Sequence, residues 1–447
     1  MSVFERGSAD DVARGARAVV ARADVPGHDN RDSDARLEEA AGLALAIGID
    51  VRARAAFRVR QVKPATLFGS GQVEQIAALA EENEAELVIV DNALTPVQQS
   101  NLEKACGAKV IDRTGLILEI FGERAVTNEG RLQVELAHLD YQAGRLVRSW
   151  THLERQRGGF GFLGGPGETQ IEADRRMIRD RMAKIRRELD QVTRTRSLHR
   201  ARRQRAPWPV IALVGYTNAG KSTLFNRLTG AGVLAQDMLF ATLDPTMRQI
   251  TLPGIDKAIL SDTVGFVSDL PTQLIAAFRA TLEEVIFADL IIHVRDISHP
   301  DSEAQRADVM DVLAELGVAG EGADNGQGDD GEVSSRPAYL EVWNKIDLLP
   351  PERRTEIETI AARRDDVVAV SAMTGEGQET LRRVIGDLMT SGNAIYHLHV
   401  PASDGAALAW LHEYGEVIET REGPSEDILD ISVRLSDAAH ARFQARG

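Results

Sequence analysis

One short segment constrains the fold of this chain more than any other feature. Residues 215–222 have the sequence GYTNAGKS, directly after the apolar run VIALV and directly before an amphipathic helix pattern. Glycines in such a loop let successive backbone N–H groups turn towards a phosphate, and the N-terminus of the next helix adds partial positive charge. A strand, a glycine loop and a helix in this order predict an open α/β domain with a mostly parallel sheet.

The residue types in this loop indicate a nucleotide as the ligand. Lys221 is placed to reach the β- and γ-phosphates, and the Ser222 hydroxyl to ligate Mg²⁺. A plain glycine turn is the alternative, but it requires neither the lysine nor the flanking strand and helix. We expect the phosphates to contact Gly215, Tyr216, Thr217, Asn218, Ala219, Gly220, Lys221, Ser222 and Thr223.

Two segments further along the chain indicate that the base is guanine. Asp347, in NKID after the strand AYLEVW, can accept hydrogen bonds from the N1–H and the exocyclic amino group of guanine, neither of which adenine offers. Lys345 can lay its alkyl stem over the base, and Asn344 can tie this loop to the phosphate loop. The segment SAM, at the end of another strand, can present backbone N–H groups to guanine O6. The base subsite is expected to comprise Asn344, Lys345, Ile346, Asp347, Ser371, Ala372 and Met373.

Two segments between these are candidates for sensing the γ-phosphate. DTVG ends the strand AILSD, which places Asp262 near Mg²⁺ and the Gly265 N–H near the γ-phosphate. In FATLDPT, Thr242 is the candidate for a switch threonine that closes on Mg²⁺ when the γ-phosphate is present, and Thr246 is the alternative. We therefore expect Lys221, Thr242 and Gly265 to act in catalysis, and Ser222 and Thr242 to hold the metal. The remaining nucleotide contacts are expected from Phe240, Ala241, Leu243, Asp244, Asp262, Thr263 and Val264.

The composition is that of a large globular protein. The chain has 447 residues, of which 43% are hydrophobic, so we expect several domains. No stretch approaches the roughly 18 apolar residues of a membrane span, and we expect a cytoplasmic monomer. Cys106 is the only cysteine, which excludes an internal disulfide. The net charge of −16 argues against nucleic acid as a partner, yet residues 171–205 hold thirteen Lys or Arg against five Asp or Glu.

Outside one long helical region, the pattern of apolar runs divides the chain into four parts. Residues 1–33 are polar without sustained periodicity, so we expect a flexible tail. Residues 34–127 alternate strand and helix patterns and predict a small α/β domain with parallel strands. Residues 207–392 form the domain with the glycine loop, and its Gly- and Asp-rich segment 317–337 is expected to be an acidic surface insertion. Residues 393–447 predict a small α+β domain.

The helical region, residues 128–206, predicts two long helices that fold back on each other. Apolar residues recur in both at alternating spacings of four and three, which is typical of coiled-coil seams. Six of the ten residues 158–167 are glycine, so neither helix continues through them. At about 1.5 Å per residue we expect an antiparallel hairpin of roughly 40 Å with a glycine-rich tip, and an interdomain spacer is the alternative interpretation. The seam positions are Leu132, Leu136, Leu139, Ala143, Leu146, Trp150 and Leu153, then Ile178, Met182, Ile185, Leu189 and Val192.

With these residues identified, the chain resembles the HflX family of ribosome-associated GTPases from about Asp34 to the C-terminus. The resemblance implies a GTPase that binds the large ribosomal subunit, in some members separating stalled ribosomes into subunits. It also implies a glycine-rich tip that enters the peptidyl-transferase region of ribosomal RNA, a partner that the basic second helix suits. The motifs that carry it are GGFGFLGGPGETQIE (158–172), GYTNAGKSTLFN (215–226), FATLDPT (240–246), DTVGF (262–266) and VIDRTGLILEIFGERA (110–125).

Three features qualify this expectation. Phe266 stands where Ras-like GTPases have the Gln that orients the attacking water, so we expect slow intrinsic hydrolysis and catalytic help from the ribosome. Asn218 resembles the asparagine by which some related GTPases hold K⁺, and a loop-capping asparagine is the alternative. FGSGQ (68–72) lacks the third glycine of a dinucleotide-binding loop, so we interpret it as the start of a helix rather than as a second nucleotide site.

The sequence leaves two main functional hypotheses, beside a third, the unwinding of ribosomal RNA by the N-terminal domain, that rests on composition alone. The first is a ribosome-directed GTPase that acts in translation, in ribosome splitting and rescue, or in ribosome biogenesis. The second is a GTPase switch whose hairpin docks a protein partner. A protein-binding coiled coil needs neither the basic excess nor the glycine tip, so the first is favoured.

Overall fold

The computed structural model describes four structural units along the chain. Within the helices, the side chains of residues 146–156, 170–174 and 193–203 are not described. The described residues are 15–26, 31–125, 127–156, 170–203, 208–230, 246–268, 282, 285–318, 337–390, 393–423, 427–436, 440 and 443–444.

The N-terminal domain is a four-stranded, all-parallel sheet with the strand order β2-β1-β3-β4. Each strand is followed by a helix, as the alternating pattern predicts. The strands are β1 (Arg17–Asp24), β2 (Asp50–Arg58), β3 (Leu87–Val90) and β4 (Lys109–Asp112). The helices are α1 (Ser33–Ala46), α2 (Ser70–Glu82), α3 (Pro96–Cys106) and α4 (Arg113–Arg124).

The interpretation of residues 1–33 as a flexible tail is wrong for Arg17–Asp24, which form the buried strand β1 inside the sheet. Arg22 interrupts the apolar run of this strand and hides its strand character in the sequence. Its guanidinium is buried because it pairs with the Asp91 carboxylate at 2.7 Å and the Asp24 carboxylate at 3.0 Å. Residues 1–14 and 27–30 of the expected tail lie outside the described residues.

The helical region contains α5 (Asn128–Gln156) and α6 (Gln170–Arg203), which contact each other. Met182 and Ile185 of the predicted seam are buried, and Arg181 on α6 binds both carboxylate oxygens of Glu135 on α5, at 2.6 and 2.8 Å. A second apolar face of α5, with Val134 buried in it, packs against the N-terminal domain and was not anticipated. The predicted tip, residues 158–167, lies outside the described residues.

The third unit is a six-stranded sheet with the order β10-β9-β8-β5-β7-β6, in which only the edge strand β6 is antiparallel to its neighbour. The mostly parallel sheet is as predicted, whereas β6 was not. The strands are β5 (Val210–Val214), β6 (Thr246–Leu252), β7 (Ile255–Asp262), β8 (Leu290–Asp296), β9 (Ala338–Asn344) and β10 (Val367–Ala369). The described helices are α7 (Lys221–Thr229), α8 (Ser302–Glu315), α9 (Pro351–Ala361) and α10 (Gln378–Thr390).

The C-terminal unit is small and has the predicted α+β composition. Its antiparallel sheet has the order β11-β13-β12 and packs against the helix α11 around Leu411 and Val433. Its elements are β11 (Asn393–Pro401), α11 (Gly405–Tyr414), β12 (Glu416–Glu422) and β13 (Ile428–Ser436). None of the helices in the described part of the chain is long and apolar enough to cross a membrane. Most of the predicted acidic insertion, residues 319–336, lies outside the description.

One apolar cluster joins the N-terminal domain to the third unit. It contains Leu37 and Leu43 of α1 together with Val264, Phe266 and Leu282. The two domains therefore share a core at the carboxyl end of β7, next to the predicted phosphate site.

Candidate nucleotide-binding site

The glycine loop lies at the carboxyl end of β5, an inner strand of the six-stranded sheet, and runs into α7. Gly215 and Gly220 have φ angles of +150° and +94°. A Cβ atom on Gly215 would lie 2.2 Å from the Val294 carbonyl oxygen, and one on Gly220 would lie 2.2 Å from Asn344 Nδ2. Glycine is required at both positions because no side chain fits.

Lys221 is buried at the start of α7, inside this loop. Its ammonium group donates to the backbone carbonyl oxygens of Gly215 at 3.1 Å and of Tyr216 at 2.8 Å. Burial lowers the pKa of Lys221 to about 8, and the nearby Asp262 carboxylate partly opposes that shift. An ammonium group buried inside a glycine loop can attract a phosphate electrostatically.

Ser222 and Asp262 form the part of the site that can hold a metal ion. The Ser222 hydroxyl donates to an Asp262 carboxylate oxygen at 2.7 Å, and Asp262 is fully buried at the end of β7. No cluster of three or more His, Cys, Asp or Glu suited to a metal occurs among the described residues. A hydroxyl, a carboxylate and the phosphate oxygens of a bound nucleotide are hard oxygen ligands, so the residues present fit Mg²⁺.

The DTVG loop is fixed to the glycine loop by two backbone hydrogen bonds. The Thr217 N–H donates to the Phe266 carbonyl oxygen at 2.7 Å, and the Phe266 N–H donates to the Gly215 carbonyl oxygen at 3.1 Å. A Cβ atom on Gly265 would lie 2.8 Å from Thr217 Cγ2 and 3.0 Å from Lys221 Nζ, so this position also requires glycine. Phe266 itself is buried in the apolar cluster shared with the N-terminal domain.

Asn344 connects the expected base subsite to the phosphate loop, as predicted. Its amide nitrogen donates to the Ala219 carbonyl oxygen at 2.8 Å, and its amide oxygen accepts from the Ala372 N–H at 2.9 Å. A single buried side chain therefore joins three loops. Asp347 and Met373 are exposed, which leaves them accessible to a base.

Two contacts that organise this subsite were not found from the sequence. Lys345 has a φ of +66°, and its ammonium group pairs with an Asp296 carboxylate oxygen at 2.7 Å. The other Asp296 oxygen accepts from the N–H and hydroxyl of Ser298, at 3.0 and 2.6 Å. On the opposite side, the Arg227 guanidinium donates to the carbonyl oxygens of Ala372 and Met373. The signal available for Asp296 was its place at the carboxyl end of a parallel strand.

The expected switch residues Phe240, Ala241, Thr242, Leu243 and Asp244 lie outside the described residues. Thr246, the alternative to Thr242, is the first residue of β6 and pairs in register with Asp262. Asn218 has a φ of +58°, a backbone conformation that asparagine adopts more readily than most residues. Its possible roles as a K⁺ ligand or a loop cap stay predictions.

Four family models match successive parts of the chain. They are "GTP-binding GTPase N-terminal" at residues 34–122, "GTP-binding GTPase Middle Region" at 124–203, "50S ribosome-binding GTPase" at 210–319 and "HflX C-terminal domain" at 356–446. The "GTPase HflX" of Magnetococcus marinus is 51% identical over 433 residues, which cover 96% of this chain and 94% of that protein. The "GTPase HflX" of Escherichia coli is 41% identical over 372 residues, which cover 83% of each chain.

The chain belongs to the HflX family of GTPases. The site on the six-stranded sheet is accordingly that of an HflX GTPase with a 50S ribosome-binding GTPase domain. The N-terminal family model begins at residue 34, but in this chain the strand Arg17–Asp24 lies inside the same sheet. In this HflX chain the N-terminal domain therefore begins upstream of the family model.

Proposed function

We propose that GTP controls the attachment of this protein to the large ribosomal subunit in the cytoplasm, and that the hairpin makes the contact with ribosomal RNA. The activity would serve translation through the splitting and rescue of stalled ribosomes or through ribosome biogenesis. The observation that carries the proposal is the charge on the second arm, α6. Between Arg175 and Val192, where side chains are described, seven Lys or Arg stand against three Asp or Glu. Five of the basic side chains are exposed: Arg176, Arg179, Lys184, Arg186 and Arg187.

A basic rod of this kind can bind the phosphate backbone of RNA, because each Lys or Arg that neutralises a phosphate releases a condensed counterion. The protein as a whole carries a net charge of −16, so the excess on α6 is a local feature rather than a general one. The alternative hypothesis, that the hairpin docks a protein partner, does not explain the excess of basic residues on α6. The family name "50S ribosome-binding GTPase" points to the same partner.

Within the nucleotide site we propose that Lys221 neutralises the β- and γ-phosphates and that Asp347 selects guanine. Mg²⁺, held by Ser222 and the switch residue Thr242, would supply further positive charge to the phosphates. The Gly265 N–H would donate to the γ-phosphate. Monomeric action is proposed as well, since one chain contains every part of this site.

Phe266 is the reason to propose that hydrolysis waits for the ribosome. Its side chain is buried and has no hydrogen-bonding group, so it cannot orient an attacking water. K⁺ beside Asn218 would add positive charge near the phosphates in place of an arginine finger. Equal hydrolysis rates in potassium and sodium buffers would contradict that part of the proposal.

Cosedimentation with purified ribosomal subunits tests the function. We expect the protein to pellet with the large subunit in a non-hydrolysable GTP analogue and much less in GDP, at one stated salt concentration. Arg179→Gln with Arg186→Gln should weaken binding and flatten its salt dependence. A matched control with exposed arginines of the GTPase domain, Arg353→Gln with Arg363→Gln, should bind as the wild type does. Binding that is independent of the nucleotide would refute the proposal.

A further inference from the structure

Two adjacent residues at the junction of β4 and α4 contact two different neighbours of the N-terminal domain. Arg113 lies against the GTPase domain, and Asp112 lies against the first arm of the hairpin. Both side chains are buried, at 3% and 2% exposure. They belong to the motif VIDRTG, which contributes no residue to the nucleotide site.

On the GTPase side, Arg113 holds the loop that follows DTVG. Its guanidinium donates to the Ser268 hydroxyl at 2.8 Å and to the Ser268 carbonyl oxygen at 3.2 Å. It is held in place by two carboxylates of its own domain, Asp91 at 2.5 Å and Glu39 at 2.6 Å. Arg36 of α1 contacts the same Ser268 hydroxyl. Ser268 lies three residues after Gly265, so these contacts fix the loop next to the γ-phosphate position.

The second residue of the phosphate loop joins the same network. The Tyr216 hydroxyl donates to the Glu39 carboxylate at 3.0 Å and accepts from the Ser268 N–H at 2.8 Å. Tyr216 is itself buried. Through Glu39 and Arg113, the N-terminal domain thus touches both loops that are placed to surround the phosphates.

On the hairpin side, Asp112 fixes α5. One of its carboxylate oxygens accepts from the Tyr141 hydroxyl at 2.6 Å, and the other accepts from the Arg145 guanidinium at 2.8 Å. The Arg145 guanidinium also lies 4.0 Å from the centre of the Tyr141 ring and contacts Gln99 of α3. Asp112 additionally caps α4 by accepting from the Gly115 N–H at 2.8 Å. The middle of α5 is therefore tied to the end of β4.

We propose that the Asp112–Arg113 pair couples the position of the Ser268 loop to the position of the hairpin, with Tyr141 and Arg145 as positioning residues. Arg113 is fixed in the N-terminal domain by Asp91 and Glu39. Its buried contacts with Ser268 are costly to break, so the N-terminal domain must follow the Ser268 loop when that loop moves. Asp112 belongs to the same domain and transmits the movement to α5 through Tyr141 and Arg145. Coupling of this kind is reciprocal, so a load on the hairpin shifts the loop beside Gly265. The source of that load, the ribosome, rests on the proposed function.

The test measures hairpin movement without ribosomes. Cys106 is the only cysteine, so Cys106→Ser gives a background for two spin labels at exposed positions, Arg179→Cys on α6 and Glu352→Cys on α9. We expect the label-to-label distance to differ between GDP and a non-hydrolysable GTP analogue. Tyr141→Phe with Arg145→Met should abolish that difference while nucleotide affinity is retained. Gln142→Ala, an exposed change on the same helix, should preserve it.

A difference that persists in full in the Tyr141→Phe, Arg145→Met protein, or that is absent from the wild type, overturns the coupling. Should that double variant fail to fold, Ser268→Ala removes one hydroxyl from the other side of the pair and should also reduce the nucleotide-dependent shift. The result is separable from that of the proposed function. If the wild-type hairpin shifts with the nucleotide but the protein does not pellet with the large subunit, the coupling is supported and the ribosomal partner is refuted.

Discussion

The two ends of the nucleotide site are built in different ways. At the proposed phosphate end the groups expected to face the ligand are backbone and a buried lysine, packed so closely that Gly215, Gly220 and Gly265 have no room for a Cβ atom. The side chains that support these loops from behind, Glu39 and Arg113, belong to the N-terminal domain. At the proposed guanine end the groups include the exposed side chain of Asp347, and the supporting contacts found among the described residues lie within the GTPase domain.

This difference separates recognition of the base from sensing of the phosphates. On this proposal, the guanine end selects its base without contacts to the other domains. The phosphate end cannot change shape without affecting Glu39 and Arg113 of the N-terminal domain. Changes at the guanine end should therefore alter affinity alone, whereas changes at the phosphate end should also alter stability and hairpin position.

The largest effect is expected at the guanine end. Asp347→Asn replaces the acceptor of the guanine N1–H and amino group by an amide, and we expect GTP affinity to fall roughly 10⁴-fold. Xanthine carries a carbonyl in place of the amino group, so the variant should bind xanthosine triphosphate better than the wild type does. Equilibrium binding of both nucleotides measures the change. Unaltered GTP affinity would place the base elsewhere.

The next effect is on stability at the phosphate end. Arg113→Met removes the arginine that pairs with Glu39 and leaves the buried Asp91 carboxylate with Arg22 alone, and we expect the free energy of unfolding to fall by about 4 kcal/mol. Denaturant unfolding of the nucleotide-free protein measures it. The matched control Arg363→Met changes an exposed arginine and should leave the unfolding midpoint nearly unchanged. Equal midpoints for the two variants would mean that the interface network contributes nothing.

A third effect concerns pH. Burial lowers the pKa of Lys221 to about 8, so the nucleotide-free protein loses this positive charge as pH rises through 8. Bound phosphates favour the charged form, so binding takes up a proton above that pH, and affinity for GDP should fall by up to about tenfold per pH unit between pH 8 and 10. Titration calorimetry in buffers of different ionisation enthalpy measures the proton uptake. Lys221→Arg stays charged and should bind without this pH dependence.

The sequence predicts the loops expected to face the nucleotide at both ends of the site better than it predicts the contacts that support them. GYTNAGKS and NKID were recognised because residue types and strand context agree within a few positions. The interface network was not, because Arg113 lies 74 residues from Glu39 and 155 residues from Ser268. Only the fold brings such partners together. Arginine is usually exposed, so a sequence gives no reason to place one in the interior until its carboxylate partners have been identified in the structure.

The sequence patterns missed the strands β1 and β6 for two different reasons. In β1, the charged residue Arg22 suggests a polar tail. Its partner Asp91 lies 69 residues away, so the sequence does not show that this charge is paired and buried. The edge strand Thr246–Leu252 has mostly exposed or half-exposed residues, so it lacks the continuous apolar run of a buried parallel strand. Domain boundaries are accordingly least predictable where buried charge replaces apolar side chains.

The smallest expected effect tests whether a change at the guanine end leaves the position of the hairpin unchanged. Asp296→Asn weakens the pairing that holds Lys345 at 2.7 Å, and we expect about fivefold weaker binding of GTP and GDP alike, from the loss of roughly 1 kcal/mol. Lys345→Met keeps an apolar stem without the charge, so adding Asp296→Asn to that variant should change affinity no further. A full additional loss would show that Asp296 acts through Ser298 instead. The label-to-label distance between hairpin and GTPase domain should be the same as in the wild type, because no contact of Asp296 described here leaves the domain.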